Sequence, residues 1–319
     1  MSNSSPLAKL LTSLPSQTGR RIVITGANSG IGYYAALGLA RKGAQVVLAC
    51  RDRSRGETAL QRLTNEVRSP APELAILDLA SLASVRTFAE QELSRRQPLD
   101  VLINNAGVMA PPRRLETADG FELQFGTNVL GHFALTGLLL PALQQAASAP
   151  EPPRIITIAS IAHKRGHLNF NDLQSTKSYS PMGAYQQSKL ANLMLALEMD
   201  RRFRAAGINI LSVAAHPGVA HTKLFQSGDR PALELAARKL ISHLIGAFLN
   251  TDAEGALPTI YAAASPEATG GGYYGPQGVQ EMRGSEVGPA KIAPQAKDSA
   301  AAARLWNICE QLTGIRYLD

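Results

Sequence analysis

Short apolar runs alternate with longer stretches of helical periodicity along most of the chain. The runs are rich in β-branched residues and predict strands at 21–25, 45–49, 74–77, 101–103, 154–159 and 208–214. The stretches between them predict helices at 31–42, 56–67, 81–97, 121–147 and 183–205. Strands separated by helices of this length imply βαβ units. The pattern therefore predicts an α/β fold, with a parallel sheet that helices cover on both faces.

The flanking segments set the predicted domain limits. Residues 1–18 form a polar N-terminal leader, and 280–319 form a C-terminal extension that contains a helix. Residues 19–279 are predicted to form one domain, since no internal repeat or low-complexity segment interrupts the alternation. Two further helices are predicted within it, at 232–248 and 253–264. Two loops are predicted at 146–153 and 270–278.

Composition narrows the class of protein. A chain of 319 residues can bury a large core without disulfides or metals, and its net charge of +7 is spread along the sequence. Dispersed basic residues do not predict a nucleic-acid partner. Cys50 and Cys309 are too few and too far apart for a disulfide framework. No run approaches about 18 uninterrupted apolar residues. We therefore expect a soluble, cytoplasmic protein with no membrane anchor.

The first strand-to-helix junction has the features of a phosphate-binding loop. Residues 25–32 follow the pattern T-G-x-x-x-G-x-G, and glycines let the backbone approach a pyrophosphate at a helix N-terminus. A tight turn without a ligand is the alternative, but the position in the first βαβ unit favours a dinucleotide. The predicted cofactor contacts here are Gly26, Asn28, Ser29, Gly30, Ile31 and Gly32.

The end of the second strand indicates which dinucleotide is bound. An acidic residue there would bind the ribose hydroxyls of NAD, whereas an arginine would pair with the 2′-phosphate of NADP. Neutral Cys50 is followed by Arg51, and Arg53 or Arg55 could assist it. The alternative is that three loop arginines are simply solvated. The charge pattern favours NADP(H) over NAD(H).

Tyr185 and Lys189 are the candidate catalytic pair. Residues four apart share one face of a helix, so the ammonium can favour the ionised phenol. Such a phenol is a general acid/base. The spacing alone is weak evidence, because any helix can present this pair to water.

Four ordered motifs resemble the short-chain dehydrogenase/reductase family. They are the glycine loop, the segment Asn104-Asn105-Ala106-Gly107, Ser160 after the fifth strand, and Tyr185-x-x-x-Lys189. The resemblance covers about 21–278. It implies a single-domain Rossmann-type α/β fold, with a doubly wound parallel sheet of about seven strands and helices on both faces. Details such as the segment 216–219 are similar to the retinol dehydrogenase and protochlorophyllide-reductase-like branch.

The resemblance implies a catalytic role for each of four residues. Tyr185 would exchange a proton with the substrate oxygen, and Ser160 would hydrogen-bond that oxygen. Lys189 would lower the pKa of the phenol and bind the nicotinamide ribose. Asn128, on the long helix, would hold a water that relays protons to Lys189.

The resemblance also implies further cofactor contacts. Asp78 and Leu79 would contact the adenine, and Asn105, Ala106 and Gly107 would pass its ribose. Pro217, Gly218, Val219 and Thr222 would bind the nicotinamide carboxamide. His216 and His221 lack the carboxylate or thiol partners of a metal site, so no metal is predicted.

The resemblance places a mobile, apolar substrate lid at 223–250, which favours a bulky hydrophobic ketone, aldehyde or alcohol as substrate. We expect an NADP(H)-dependent oxidoreductase. The alternatives are a non-catalytic NADPH-binding redox sensor, which needs neither Tyr185 nor Ser160, and an epimerase or dehydratase that uses the same tyrosine and lysine. The latter enzymes usually carry a larger C-terminal domain. The family includes monomers and oligomers, so a homo-oligomer stays open.

Overall fold

A computed structural model describes residues 5–67, 70–219 and 250–318 of the chain. They form one eight-stranded sheet in the order β3-β2-β1-β4-β5-β6-β7-β8. The first seven strands are parallel and β8 is antiparallel to β7. The strands are β1 Arg21–Thr25, β2 Gln45–Cys50, β3 Glu73–Ile76, β4 Val101–Asn104, β5 Arg154–Ile158, β6 Leu211–Ala215, β7 Tyr273–Pro276 and β8 Val287–Pro289. The predicted α/β fold with a doubly wound sheet is confirmed.

Helices cover both faces of this sheet. They are α1 Pro6–Ser13, α2 Gly30–Arg41, α3 Arg53–Glu66, α4 Leu82–Ser94, α5 Leu123–Phe125, α6 Gly131–Ala146, α7 Pro181–Ala205, α8 Asp252–Gly255, α9 Leu257–Ala264 and α10 Ser299–Thr313. A single turn of π-helix, Gly126–Leu130, joins α5 to α6. Three 3-10 turns lie at Ile161–Arg165, Val279–Glu281 and Pro294–Lys297.

The hydrophobic core lies in two layers, one on each face of the sheet. Strands β1, β4 and β5 are buried along their whole length, as expected of central parallel strands. One layer centres on α4, α6 and α7, and the other on α2 and α9. Because the strand order reverses between β1 and β4, a crevice opens at the carboxyl ends of these strands.

The run Leu123–Ala146 is the one described helical segment long and apolar enough to meet the length of a membrane span. Its most apolar window has a mean hydropathy of 1.2, and 83% of that window is buried inside the fold. Its apolar composition therefore matches its position in the core.

The structure differs from two of the segment predictions in secondary structure. Residues 270–278 were predicted to be a loop but contain β7, whose Tyr273 and Tyr274 are buried and pair with Ala214 and Ala215. Neighbouring glycines hide this strand, because glycine weakens any strand pattern. The leader 1–18 contains α1, which buries Leu7 against the domain. Thr222, the predicted helix 232–248 and the predicted lid 223–250, apart from Asn250, lie outside the described residues.

Candidate active site

A cleft of about 1110 Å³ opens at the carboxyl ends of the central strands. Most of the residues predicted from the sequence line it together. From the glycine loop come Gly26, Asn28, Ser29, Gly30, Ile31 and Gly32; from the ends of β4, β5, β6 and from α7 come Asn105, Ala106, Gly107, Ser160, Tyr185, Lys189, Pro217, Gly218 and Val219. The topology therefore gathers distant segments at one crevice.

The glycine loop has the shape needed to hold a pyrophosphate. Gly26 has φ +67°, which a residue with a side chain rarely adopts. A Cβ on Gly32 would lie 2.6 Å from both the side-chain nitrogen of Asn105 and the carbonyl oxygen of Gly26. Ser29, the N-cap of α2, makes no capping hydrogen bond with its side chain. The first N–H groups of α2 therefore face the cleft as anion donors, and these residues fit a dinucleotide.

Thr25 ties the glycine loop to the segment after β4. Its Oγ1 accepts hydrogen bonds from the main-chain N–H groups of Asn105 and Ala106, both over 2.9 Å. The Asn105 amide in turn donates to the Thr25 carbonyl over 2.8 Å. These bonds cross between adjacent parallel strands and fix the floor of the cleft.

The arginines after β2 do not all reach the cleft. Arg55 is part of its wall, whereas Arg51 is exposed and lies outside the lining. Asp52 is occupied as the N-cap of α3, where its Oδ1 accepts from the Arg55 N–H over 3.0 Å. Of the two arginines predicted to assist Arg51, Arg55 is thus the one that lines the cleft.

Asp78 and Leu79, the predicted adenine contacts, follow β3 and lie outside the cleft lining. Asp78 Oδ1 accepts the N–H of Ala80 over 3.0 Å, and Ser81 caps α4. Leu79 is buried in the core. Their predicted contact with adenine remains a prediction.

Tyr185 is buried in the cleft, which Ser160 also lines. Burial raises the pKa of Tyr185 to about 12, and the Ser160 hydroxyl opposes this rise. Lys189 is not among the causes of this shift, so the expected lowering of the phenol pKa by Lys189 stays a prediction. The Lys189 ammonium lies 5.9 Å from the ring centroid, and its hydrogen bond goes to the Ile158 carbonyl. Ser160 is thus the side chain that favours the ionised phenol here.

Lys189 is only 5% exposed, and burial lowers its pKa to about 8. A Cβ on Gly107 would lie 3.8 Å from its Nζ and 3.1 Å from Asn128 Oδ1. The bare backbone of Gly107 thus leaves room beside both side chains.

Asn128 lies in the π-helical turn, fully buried. Its amide donates to the Val108 carbonyl and to Ser188 Oγ, both over 3.0 Å, and its Oδ1 accepts the Val108 N–H over 2.8 Å. The structure therefore supplies the partners that a mid-helix asparagine needs. The proposed water relay through this residue remains a prediction.

His132, which sequence reasoning missed, connects Thr25 to Asn128. Its Nδ1 lies 3.1 Å from the Asn128 carbonyl, which can only accept, so Nδ1 donates. Its Nε2 then accepts from Thr25 Oγ1 over 2.9 Å. Burial lowers the pKa of His132 to about 4 and keeps the ring neutral. The spacing of Asn128 and His132, one helical turn apart, was the available signal.

The cleft has a further wall from the C-terminal part of the chain, which sequence reasoning also missed. Lys164 and Glu281 form an ion pair across 2.6 Å, and Glu281 Oε1 accepts the Lys291 N–H over 2.7 Å. Ion pairing and hydrogen bonding lower the pKa of Glu281. Residues more than 100 positions apart meet here, a contact without a signal in sequence spacing.

Comparisons with known proteins agree with this geometry. The sequence model of the family described as short chain dehydrogenase matches residues 20–231. Retinol dehydrogenase 14 from Homo sapiens is 41% identical over 312 residues, covering 93% of this chain and 87% of that protein. A crystal structure of an uncharacterized protein from Mycobacterium paratuberculosis is 41% identical with a TM-score of 0.77, covering 96% of this chain and 98% of its own.

A second solved structure is the active-site complex of RhlG from Pseudomonas aeruginosa with NADP. It is 26% identical with a TM-score of 0.63, and the match covers 81% of this chain and 94% of that one. Together with the cleft described above, these matches confirm the predicted family. The chain belongs to the short chain dehydrogenase family, in its retinol dehydrogenase branch, and is an oxidoreductase of alcohol and carbonyl groups.

Proposed function

We propose that this protein interconverts a hydrophobic ketone or aldehyde and its alcohol with NADP(H) as cofactor. The observation that carries the proposal is that Tyr185, Ser160 and the buried Lys189 line one cleft together with the glycine loop. Proton exchange at a substrate oxygen needs a donor and a second group to stabilise developing charge. The phenol and the serine hydroxyl supply these two functions at one point.

NADPH, when bound, supplies the hydride for the carbonyl carbon. In reduction, the Tyr185 hydroxyl gives its proton to the oxygen, and the Ser160 hydroxyl donates a hydrogen bond to the same atom. Lys189 carries the positive charge that opposes the phenolate left behind. In the oxidising direction the same groups act in reverse, so the phenolate takes up the alcohol proton.

The preference for NADP(H) rests on charge at the end of β2. Asp52 is the first acidic residue after β2, and its carboxylate is already engaged in capping α3. Arg51 is exposed next to this position and Arg55 lines the cleft. Two guanidinium groups here can neutralise a 2′-phosphate, which NAD(H) lacks.

A hydrophobic substrate is supported by apolar side chains in the lining of the cleft. They include Met109, Ile161, Met182 and Met282. Methionine adapts to irregular apolar ligands because its side chain is flexible and polarisable. The name of the human relative, a retinol dehydrogenase, agrees with such a ligand. Cytoplasmic location, absence of an anchor and possible oligomerisation stay predictions.

Tyr185→Phe tests the catalytic assignment. The variant should lose turnover while its NADPH dissociation constant changes by less than about threefold, since the phenol hydroxyl is removed but the ring is kept. Loss of NADPH absorbance with a panel of hydrophobic ketones and aldehydes measures turnover. Undiminished turnover by the variant overturns the assignment. A wild-type protein that binds NADPH but turns over none of the panel favours the redox sensor.

A further inference from the structure

His163 is fully buried in the 3-10 turn that begins after Ser160. Its Nδ1 lies 2.6 Å from the Ser160 carbonyl oxygen, and its Nε2 lies 3.2 Å from the main-chain nitrogen of Ala293. The ring therefore bridges Ser160 and a segment 130 residues further along the chain. The catalytic steps assigned above to Tyr185, Ser160 and Lys189 do not use this histidine.

These two contacts fix the tautomer of His163. The Ala293 N–H can only donate, so Nε2 accepts, and the Ser160 carbonyl can only accept, so Nδ1 carries the proton. Burial lowers the pKa of His163, which keeps the ring in this neutral form. The Tyr273 ring packs edge-on against it at 5.4 Å between centroids and limits its rotation.

The turn that contains His163 is held by the C-terminal part of the chain at two other points. The Gln295 amide donates to the carbonyls of His163, Lys164 and Gly166, over 3.1 to 3.3 Å. Lys164 is paired with Glu281. Three separate side chains therefore connect this turn to 281–295, a degree of connection that an ordinary surface turn does not need.

Ser160 is constrained through this turn at both its main chain and its side chain. Its carbonyl accepts the His163 Nδ1 proton and the His163 N–H, and its Oγ accepts the Ala162 N–H over 3.2 Å. The hydroxyl proton is the one donor that these bonds leave for use in the cleft. Its direction depends on how firmly the main chain of Ser160 is held.

We propose that His163 is a positioning residue for the reaction, which aims the Ser160 hydroxyl by holding the Ser160 carbonyl with its Nδ1 proton, while the Ala293 N–H holds the ring in the tautomer that this requires. The C-terminal extension then contributes to the geometry of the active site. The proposal rests on the proposed function, because it assigns His163 an effect only through Ser160. A misplacement of about 1 Å in a catalytic group can lower a rate by roughly 100-fold.

Two substitutions test the contributions of the two ring nitrogens of His163 separately. His163→Asn places an amide donor near the position of Nδ1 and retains the bond to Ser160, whereas His163→Gln reaches the position of Nε2 and loses it. We expect kcat within about threefold of wild type for His163→Asn and roughly 10- to 100-fold lower for His163→Gln. The NADPH dissociation constant should change by less than about threefold in both, since neither variant alters the glycine loop. Equal kcat in the two variants, or an effect confined to NADPH binding, overturns the proposal.

His167 provides matched controls, because it is exposed and lies only four residues away. His167→Asn and His167→Gln should leave kcat unchanged. Gln295→Ala loosens the same turn without altering the histidine and should lower kcat by a smaller factor, about threefold to tenfold. The kcat of Gln295→Ala also tests the proposal if the His163→Gln variant does not fold. Unchanged kcat in Gln295→Ala then counts against the proposal.

Coupling with Ser160→Ala identifies the route of the effect. If His163 acts through Ser160, Ser160→Ala and Ser160→Ala/His163→Gln should have equal residual turnover, measured in single-turnover reactions. If the turnover of the double variant falls by the product of the losses in the two single variants, the proposal is overturned. If Tyr185→Phe and Ser160→Ala both keep full turnover, the proposed function itself fails. If those two lose turnover and His163→Gln does not, only the positioning role fails.

Discussion

The Nζ of Lys189 donates a hydrogen bond to the main-chain carbonyl of Ile158 over 2.8 Å. Ile158 is the last residue of β5, two positions before Ser160, and Lys189 lies one helical turn after Tyr185. The bond therefore ties together the two elements that carry the serine and the tyrosine. Asn192 shares the same carbonyl at 3.4 Å. A buried ammonium thus has a structural role in addition to its electrostatic one.

The burial of Lys189 predicts a dependence of stability on pH. The pKa of Lys189 falls from 10.5 to about 8 in the folded protein. Between these pH values the unfolded chain keeps a proton that the folded chain has released, so the free energy of unfolding rises with pH in this window. Below about pH 8 the cost of a buried charge is present in full. We expect Lys189→Met to lack the rise, so its stability relative to wild type should decrease as pH goes from 8 to 10.5.

Urea denaturation across this window measures the effect. Taking the difference between variant and wild type removes the contribution of other groups, including Tyr185. Lys177→Met is the control, because Lys177 is exposed. A difference between Lys189→Met and wild type that stays constant from pH 8 to 10.5 would contradict the prediction.

The positions of Arg51 and Arg55 predict that the protein prefers NADPH to NADH. Arg51→Ala should weaken NADPH binding by roughly 10- to 100-fold and leave NADH binding nearly unchanged, because a hydrogen bond to a charged group is worth about 1.5–3 kcal/mol. Arg55→Ala should act in the same direction, since Arg55 lines the cleft. Arg53→Ala is the control, because Arg53 is exposed and nearest to Glu57 at 3.9 Å. Fluorescence titration with both dinucleotides tests this. If the variants bind NADPH and NADH equally more weakly than wild type, these arginines do not bind the 2′-phosphate.

Hydrophobic periodicity predicted the strands within one to three residues where burial is uniform. Strands such as β1 and β5 bury every residue and therefore appear in the sequence as uninterrupted apolar runs. Strand β7 escaped prediction because its burial depends on Tyr273 and Tyr274 among glycines. Its pairing with β6 is a tertiary contact that local pattern does not contain.

Most residues of the cleft lining were predictable because they belong to motifs at fixed spacing, but their supporting contacts were not. Many of these bonds involve main-chain atoms, as in the contact of His163 with the Ala293 N–H. Every residue offers such atoms, so the sequence holds no signal for them. The burial that raises the pKa of Tyr185 is likewise a property that spacing does not reveal.

Thr25 should contribute to stability through its hydroxyl. Thr25→Val keeps the shape but removes the acceptor for the N–H groups of Asn105 and Ala106 and the donor to His132. Unsatisfied buried polar groups cost about 1–3 kcal/mol each, so we expect the free energy of unfolding to fall by about 2–5 kcal/mol. Thr25→Ser keeps the oxygen and should lose only about 1 kcal/mol for its methyl group. Equal stability of the two variants by urea denaturation would show that these bonds contribute little.

Trp306 predicts that the C-terminal extension unfolds together with the sheet. Its indole is fully buried on α10, with ring centroids 5.0 Å from Phe133 and 4.9 Å from Tyr317. Trp306→Ala should lower the free energy of unfolding by about 3–5 kcal/mol, because it leaves a cavity between α10 and α6. Circular dichroism must follow unfolding, since the variant removes the only tryptophan of the chain. Val279→Ala, at a side chain that is 84% exposed, should change stability by less than about 0.5 kcal/mol. A loss below about 1 kcal/mol in Trp306→Ala would mean that the extension is a separate unit and does not stabilise the domain.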